Sequence, residues 1–229
     1  KNDSQLLALT VNDLHCSALL SRGEDFDFFA LGDVRFSGAA DGGAGLRMEC
    51  HGSKPSALFG GAEFSAFHFE RSNELRFMGR FALPRGGEIV REEAGGLTAS
   101  FGSDFVISSC DARIDVFATV STSGAGLAWP FTRPDGRAGR VRPGPAERCV
   151  EVACGRDFAV FRTAQGSVLV VSQNNSAGEL GRGDFANPPG FNRVPLFADS
   201  SERATAIAAG FKHVLVASTS SRIFAWGSN

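Results

Sequence analysis

The chain has 229 residues, among them 28 glycines, 21 phenylalanines, two tryptophans and no tyrosine. Hydrophobic residues at 43% exclude a disordered chain, and the glycines follow no G-X-Y period, which excludes a collagen-like one. A formal net charge of −2 argues against a chain that binds nucleic acid by electrostatics.

The length suits one large domain or two small ones. The five cysteines, Cys16, Cys50, Cys110, Cys149 and Cys154, are odd in number and irregularly spaced, without a C-x-x-C pair. They read as reduced thiols of an intracellular protein, cytoplasmic or nuclear. No apolar run reaches the ~18 residues of a membrane-spanning helix. The stretch Leu6–Leu20 is interrupted by Asn12, Asp13 and His15 and lacks a basic leader, so it does not read as a signal peptide. Lys1 in place of Met suggests a processed or excised fragment.

In chain order, five related segments start near residues 9, 58, 99, 152 and 207. The last two are the clearest: Val152–Phe161 aligns with Ile207–Val216, and Val168–Asn174 with Ile223–Asn229, both at a shift of 55. An anchor position recurs at Asn12, Gly61, Gly102, Gly155 and Gly210, with spacings of 49, 41, 53 and 55. Asn12 suggests that the anchor needs positive φ, which a short amide tolerates. Three residues after each anchor comes a planar ring: His15, Phe64, Phe105, Phe158 and His213.

Each copy reads as two short strands around a turn cluster, at Ser21–Gly23, Arg71–Asn73, Cys110–Ala112, Ala164–Gly166 and Ser218–Ser220. Paired strands at ~50-residue spacing with glycine at fixed offsets predict propeller blades, hence an all-β chain forming a single propeller domain or fragment over 1–229.

Ile207–His213 followed by Phe224-Ala-Trp226-Gly-Ser-Asn229 resembles the regulator of chromosome condensation repeat. So does Asn174–Asp184, which fits that family's N-x-x-G-x-L-G-x-G-D turn. The resemblance is specific over about 150–229 and weak over 1–130. It implies a β-propeller, seven-bladed in the family, whereas this chain holds four periods and a half. Four to five blades make the propeller partial or divergent. It also implies guanine-nucleotide exchange on a Ran-like small GTPase, with chromatin association, against which the chain's charge argues.

Candidate chemistry is sparse. His15 and His213 share a slot with phenylalanines and read as packing residues. His15-Cys16 and Cys50-His51 lack the ligand spacing of zinc modules. Neither G-x-S-x-G nor a P-loop occurs, and the glycine-rich Ser37–Gly45 reads as a loop. No catalytic residue, metal or cofactor is expected. Arg133, Arg137, Arg140, Arg142 and Arg148 make the most basic stretch, a Pro/Gly-rich loop suited to an acidic partner surface. Arg182-Gly183-Asp184 coincides with the repeat's own turn and reads as structural. The loop that follows, Asp184–Phe191, crosses between blades and is the kind of segment that carries function on a propeller. These features predict a non-enzymatic scaffold that presents loops to a protein partner and does not bind membranes. The alternatives are the exchange factor that the resemblance implies and an accessory domain of a larger enzyme.

Overall fold

The computed structural model describes residues 5–11, 15–22, 25–32, 55–60, 64–79, 89–93, 96–113, 116–132, 138–199 and 201–228. Apart from one short 3-10 helix at Pro195–Phe197, the regular structure among them is antiparallel strand. The chain divides into two compact units, 1–82 with 86–102, and 83–85 with 103–229.

Among the described residues, the first unit holds two sheets. Sheet 1 is a meander of β1 (Gln5–Val11), β2 (His15–Arg22) and β3 (Asp25–Gly32). Sheet 2 runs β4-β5-β6-β8-β7, built from β4 (Ala57–Gly60), β5 (Phe64–Phe69), β6 (Glu74–Gly79), β7 (Ile89–Glu93) and β8 (Gly96–Ser100). Every residue of β5, Phe-Ser-Ala-Phe-His-Phe, is buried. A strand covered on both faces is apolar without alternation, and Phe64 and Phe77 pack with ring centroids 6.1 Å apart.

Among the described residues, the second unit holds three sheets. Sheet 3 contains β9 (Ile107–Arg113), β10 (Val116–Ser121), β11 (Gly126–Thr132) and β12 (Ala138–Val141). Sheet 4 contains β13 (Cys149–Cys154), β14 (Phe158–Thr163), β15 (Val168–Ser172) and β16 (Asn192–Arg193). Sheet 5 contains β17 (Ala204–Ala209), β18 (His213–Ser218) and β19 (Ile223–Gly227). Sheet 4 is the filling of a sandwich. Ala159, Phe161, Leu169 and Val171 point into one core with Val116, Ala118, Val120 and Phe131 of sheet 3. Phe158, Val160, Val168 and Val170, one residue out of step, point into a second core with Ala204, Ile207, Val214 and Val216 of sheet 5. The period of two thus divides Phe158-Ala-Val-Phe161 between two interfaces.

The sequence expectation of two-stranded units is corrected: the sheets have three to five strands. The run Val152–Phe161 breaks at its glycine into β13 and β14, because the chain reverses there, with the Gly155 N–H donating to the Phe158 carbonyl at 2.9 Å.

The third repeat is also out of register. Cys110–Ala112, expected as a turn, lies inside β9. Gly102 and Phe105 lie before β9, the first strand of their sheet, whereas Gly155 lies between β13 and β14 and Phe158 opens β14. The polar look of β9 has a cause. The Asp111 carboxylate accepts the N–H groups of Cys154 at 2.7 Å and Ala112 at 2.9 Å, and Ser108 Oγ donates to the Val120 carbonyl at 3.0 Å. Side chains that serve neighbouring backbone groups mimic a turn in the sequence. The true turn is Thr122–Ala125. It matches Ala164–Ser167 and Thr219–Arg222, with positive φ at the third residue of each: Gly124 +88°, Gly166 +81° and Ser221 +61°.

Candidate partner-binding loops

The anchor glycines make way for the ring. A Cβ on Gly155 would lie 1.9 Å from Cε1 of Phe158, and one on Gly210 would lie 2.2 Å from Cε1 of His213. Neither glycine has positive φ. The positive φ expected at the anchor from Asn12 is thus absent at these two glycines, which are required for their lack of a side chain. Asn12 and Gly61 lie outside the described residues. His15 and Phe64 open β2 and β5, as Phe158 and His213 open β14 and β18. Phe105 is buried outside a strand, with the Arg142 guanidinium 5.8 Å from its ring centroid.

The basic stretch is not one loop. Residues 138–141 form β12, paired with β11 at Thr132↔Ala138 and Ala128↔Val141, so Arg140 is a strand residue. Arg133 and Arg137 lie outside the described residues. Arg142 and Arg148 are exposed on the link to β13, which enters sheet 4 at the end opposite the Gly155 turn. Glu147 on that link pairs with Arg193. A Pro/Gly-rich composition hid the four-residue edge strand, which needs little sequence signal because β11 supplies its pairing.

The segment 173–191 leaves β15 and returns to β16 at the end of sheet 4 that carries Gly155. Asn175 is 1% exposed and organises it. Its Nδ2 donates to the carbonyls of Asp184 at 3.1 Å and Ala186 at 2.7 Å, and its Oδ1 accepts the Leu180 N–H at 2.8 Å. Leu180 is wholly buried in the core between sheets 4 and 5. Asn192 Nδ2 holds the far limb through the Pro188 and Gly190 carbonyls, at 3.2 and 3.0 Å. From sheet 5, the Trp226 indole N–H donates to the Glu179 carbonyl at 2.9 Å. A segment so fixed presents Phe185 at 73% exposure, with exposed Arg182 and Asp184 beside it.

At the same end, the Arg156 guanidinium lies 5.1 Å from the centroid of half-exposed Phe211, and the Arg156 N–H donates to the Phe211 carbonyl at 2.9 Å. Below the surface, Glu179 is fully buried, and among the described residues its Oε1 and the Oδ1 of Asp157 have no hydrogen-bond partner. Burial, then the Glu179 carboxylate, push the Asp157 carboxyl above its usual range, against the pull of Lys212 and Arg156. Among the described residues, no three His, Cys, Asp or Glu side chains gather to hold a metal ion. Nor is any helix long and apolar enough to cross a membrane.

No protein-family model matches the chain. Over 81 residues it is 38% identical to the secretion-regulating guanine nucleotide exchange factor of Bos taurus, a match covering 34% of this chain and 16% of that protein. That match supports the resemblance to regulator of chromosome condensation repeats.

The fold is that of the propellers made from these repeats. Human WBSCR16 superposes with a TM-score of 0.71 at 16% identity, over 99% of this chain and 62% of that one. Prp20p of Saccharomyces cerevisiae superposes at 0.67 and 13% identity, over 98% of this chain and 58% of that one. Prp20p was described with its binding to Gsp1p and histones, and yeast RCC1 (Prp20) was solved with Kap60 bound to it. The chain thus spans about a sixth of the curated relative and about three fifths of the solved propellers.

Proposed function

We propose that this chain is a protein-binding module without covalent chemistry of its own, which docks a protein partner through segment 173–191 and the adjacent turns. The observation that carries the proposal is Phe185, an aromatic ring 73% exposed on a segment whose backbone is held by buried Asn175 and by Trp226. Exposed apolar rings on rigid supports make interface hot spots, because little ordering entropy is lost when they are covered. Arg156, Phe211 and Lys212 at the same end add charge and a second ring. Arg142 and Arg148 form a separate candidate contact at the opposite end.

The finer reading is guanine-nucleotide exchange on a Ran-like small GTPase, favoured by the match to an exchange factor. Exchange needs no bond chemistry: a partner that stabilises the nucleotide-free GTPase accelerates release through differential binding. We place the protein inside the cell, in keeping with free Cys110, Cys149 and Cys154.

Release of labelled GDP from a Ran-like GTPase tests the finer reading, with acceleration well above the spontaneous rate expected of an exchanger. Phe185→Ala is expected to weaken capture of the GTPase at least tenfold with unchanged melting. Unaltered capture would remove segment 173–191 from the interface. Charge reversal at Arg142 and Arg148 examines the opposite end in the same way.

A further inference from the structure

The chain over residues 184–190 has two unlike edges. It runs straight over 185–188, between bends at 182–184 and 189–190, and Gly183 and Gly190 at those bends have φ of +82° and +87°. Two buried amides grip the inner edge. Asn175 Nδ2 donates to the carbonyls of Asp184 and Ala186, and Asn192 Nδ2 donates to those of Pro188 and Gly190. The gripped residues are every second one. In an extended chain the main-chain groups of successive residues point to opposite sides, so the residues between them face outward.

The outer edge is bare. Among the described residues, the main-chain N–H and C=O of Phe185 and Asn187 and the C=O of Pro189 take no hydrogen bond. All three residues are exposed. Donor and acceptor at 185, donor and acceptor at 187, and an acceptor at 189 are what an edge strand offers a neighbour. The prolines are placed to leave that row intact. Pro188 stands at an inward position, where no outward N–H is lost, and Pro189 closes the row. Asn175 and Asn192 take the part of a neighbouring strand on the inner side. The row is therefore set before anything binds, and little ordering entropy remains to be lost.

We propose that this segment docks its partner by strand addition. An open edge strand of the partner's sheet pairs with the outward groups of Phe185, Asn187 and Pro189, and an apolar side chain of that strand covers the Phe185 ring. The inference rests on the reading of segment 173–191 as the docking segment and names the kind of surface it meets. In such a pairing the main-chain bonds supply affinity, and the side chains beside them select the partner.

A displayed library of random peptides of about ten residues, the upper length of an ordinary strand, is selected on the whole chain. Recovered peptides are expected to alternate apolar and polar residues, and to bind Asn187→Ala and Pro188→Ala as they bind wild type. Asn187→Pro removes one outward N–H and is expected to weaken them about tenfold or more. Phe185→Ala is expected to weaken them by a similar factor. In the wild-type chain, where no substitution disturbs folding, bound peptide is expected to slow hydrogen exchange at the Phe185 and Asn187 amides and not at Ala186. Peptides that respond to Phe185→Ala, bind Asn187→Pro fully and leave both amides exchanging freely overturn strand addition and keep the docking segment. Loss on Pro188→Ala with binding kept on Asn187→Pro marks recognition of the proline rings and also overturns it. A selection that recovers no peptide overturns it too. Peptides indifferent to Phe185→Ala and Asn187→Pro alike remove the docking segment as well.

Discussion

The indole N–H of Trp226 donates to the carbonyl of Glu179 at 2.9 Å, and the same indole lies where a Cβ on Gly181 would be, 2.8 Å from its Nε1. The tryptophan of one repeat thus clamps the loop of the repeat before it. Gly181 has φ of +62° and no space for a side chain, so both halves of the contact are specified. The L-G and W-G pairs of the repeat are two sides of one joint.

Trp226→Ala is expected to destabilise the fold by about 2 kcal/mol, less than the ~3–5 kcal/mol of a fully buried ring, because Trp226 is only half-buried. Trp226→Phe keeps much of the packing and loses one hydrogen bond, about 1 kcal/mol. Thermal melts give the order. Limited proteolysis gives the location, with new cleavage expected within 176–190 in the alanine variant. Cleavage elsewhere in place of that segment would contradict the clamp.

Gly155→Ala places a methyl group 1.9 Å from the Phe158 ring. The turn must open or the ring must leave the core, so a loss of about 4 kcal/mol or more is expected, at the severe end of single substitutions. Phe158→Ala alone costs about 3–5 kcal/mol for its lost ring. In the double variant the ring is no longer there to collide with, so the combined loss is expected to fall clearly short of the sum. Strict additivity in chemical denaturation would mean that the glycine is required for some other reason.

The glycine and ring at a spacing of three could be read from the sequence because it is a local contact, made again at Gly155 and at Gly210. The loop Asn174–Asp184 could be read for the same reason: Asn175 closes it within 11 residues. Register in the third repeat could not. Its first strand carries Ser108 and Asp111 for bonds to β10 and β13, and the Asp111–Cys154 bond spans 43 residues. Strand β12 is not legible in the sequence because pairing with β11, more than its own residues, makes it a strand. The Phe185 side chain was legible as a residue but its exposure was not, since that depends on where buried Leu180 anchors the loop.

The thiols Cys149 and Cys154 are 1% and 2% exposed. Burial pushes the Cys149 thiol up to about 12 and moves Cys154 and Cys110 well above the ordinary range, with the Asp111 carboxylate adding to both. Thiolate is the reactive form. The three are therefore expected to resist iodoacetamide at pH 8 in the native protein and to label fully in denaturant. Peptide mass analysis reads each site separately. Rapid native labelling of Cys154 would show that the interface between sheets 3 and 4 opens.

The Asp157 carboxyl is raised from its ordinary 3.8 by burial and by the nearby Glu179 carboxylate, so the folded protein holds this proton more tightly than the unfolded chain does. Its contribution to stability is present below the unfolded value and is lost as pH rises through the folded one. Above that window the native state carries a charge that Lys212 and Arg156 only partly offset. Asp157→Asn removes the charge and is therefore expected to raise the melting temperature at pH 7 by a few degrees, at roughly 2–4 °C per kcal/mol for a chain of this size. Glu179→Gln is expected to act in the same direction, because it removes the other member of the pair. Both gains should shrink towards zero near pH 3, where the wild-type Asp157 is itself protonated. Melting temperatures of the three proteins across that range check the sign. A gain that stays constant down to low pH would trace the effect to packing and not to the proton.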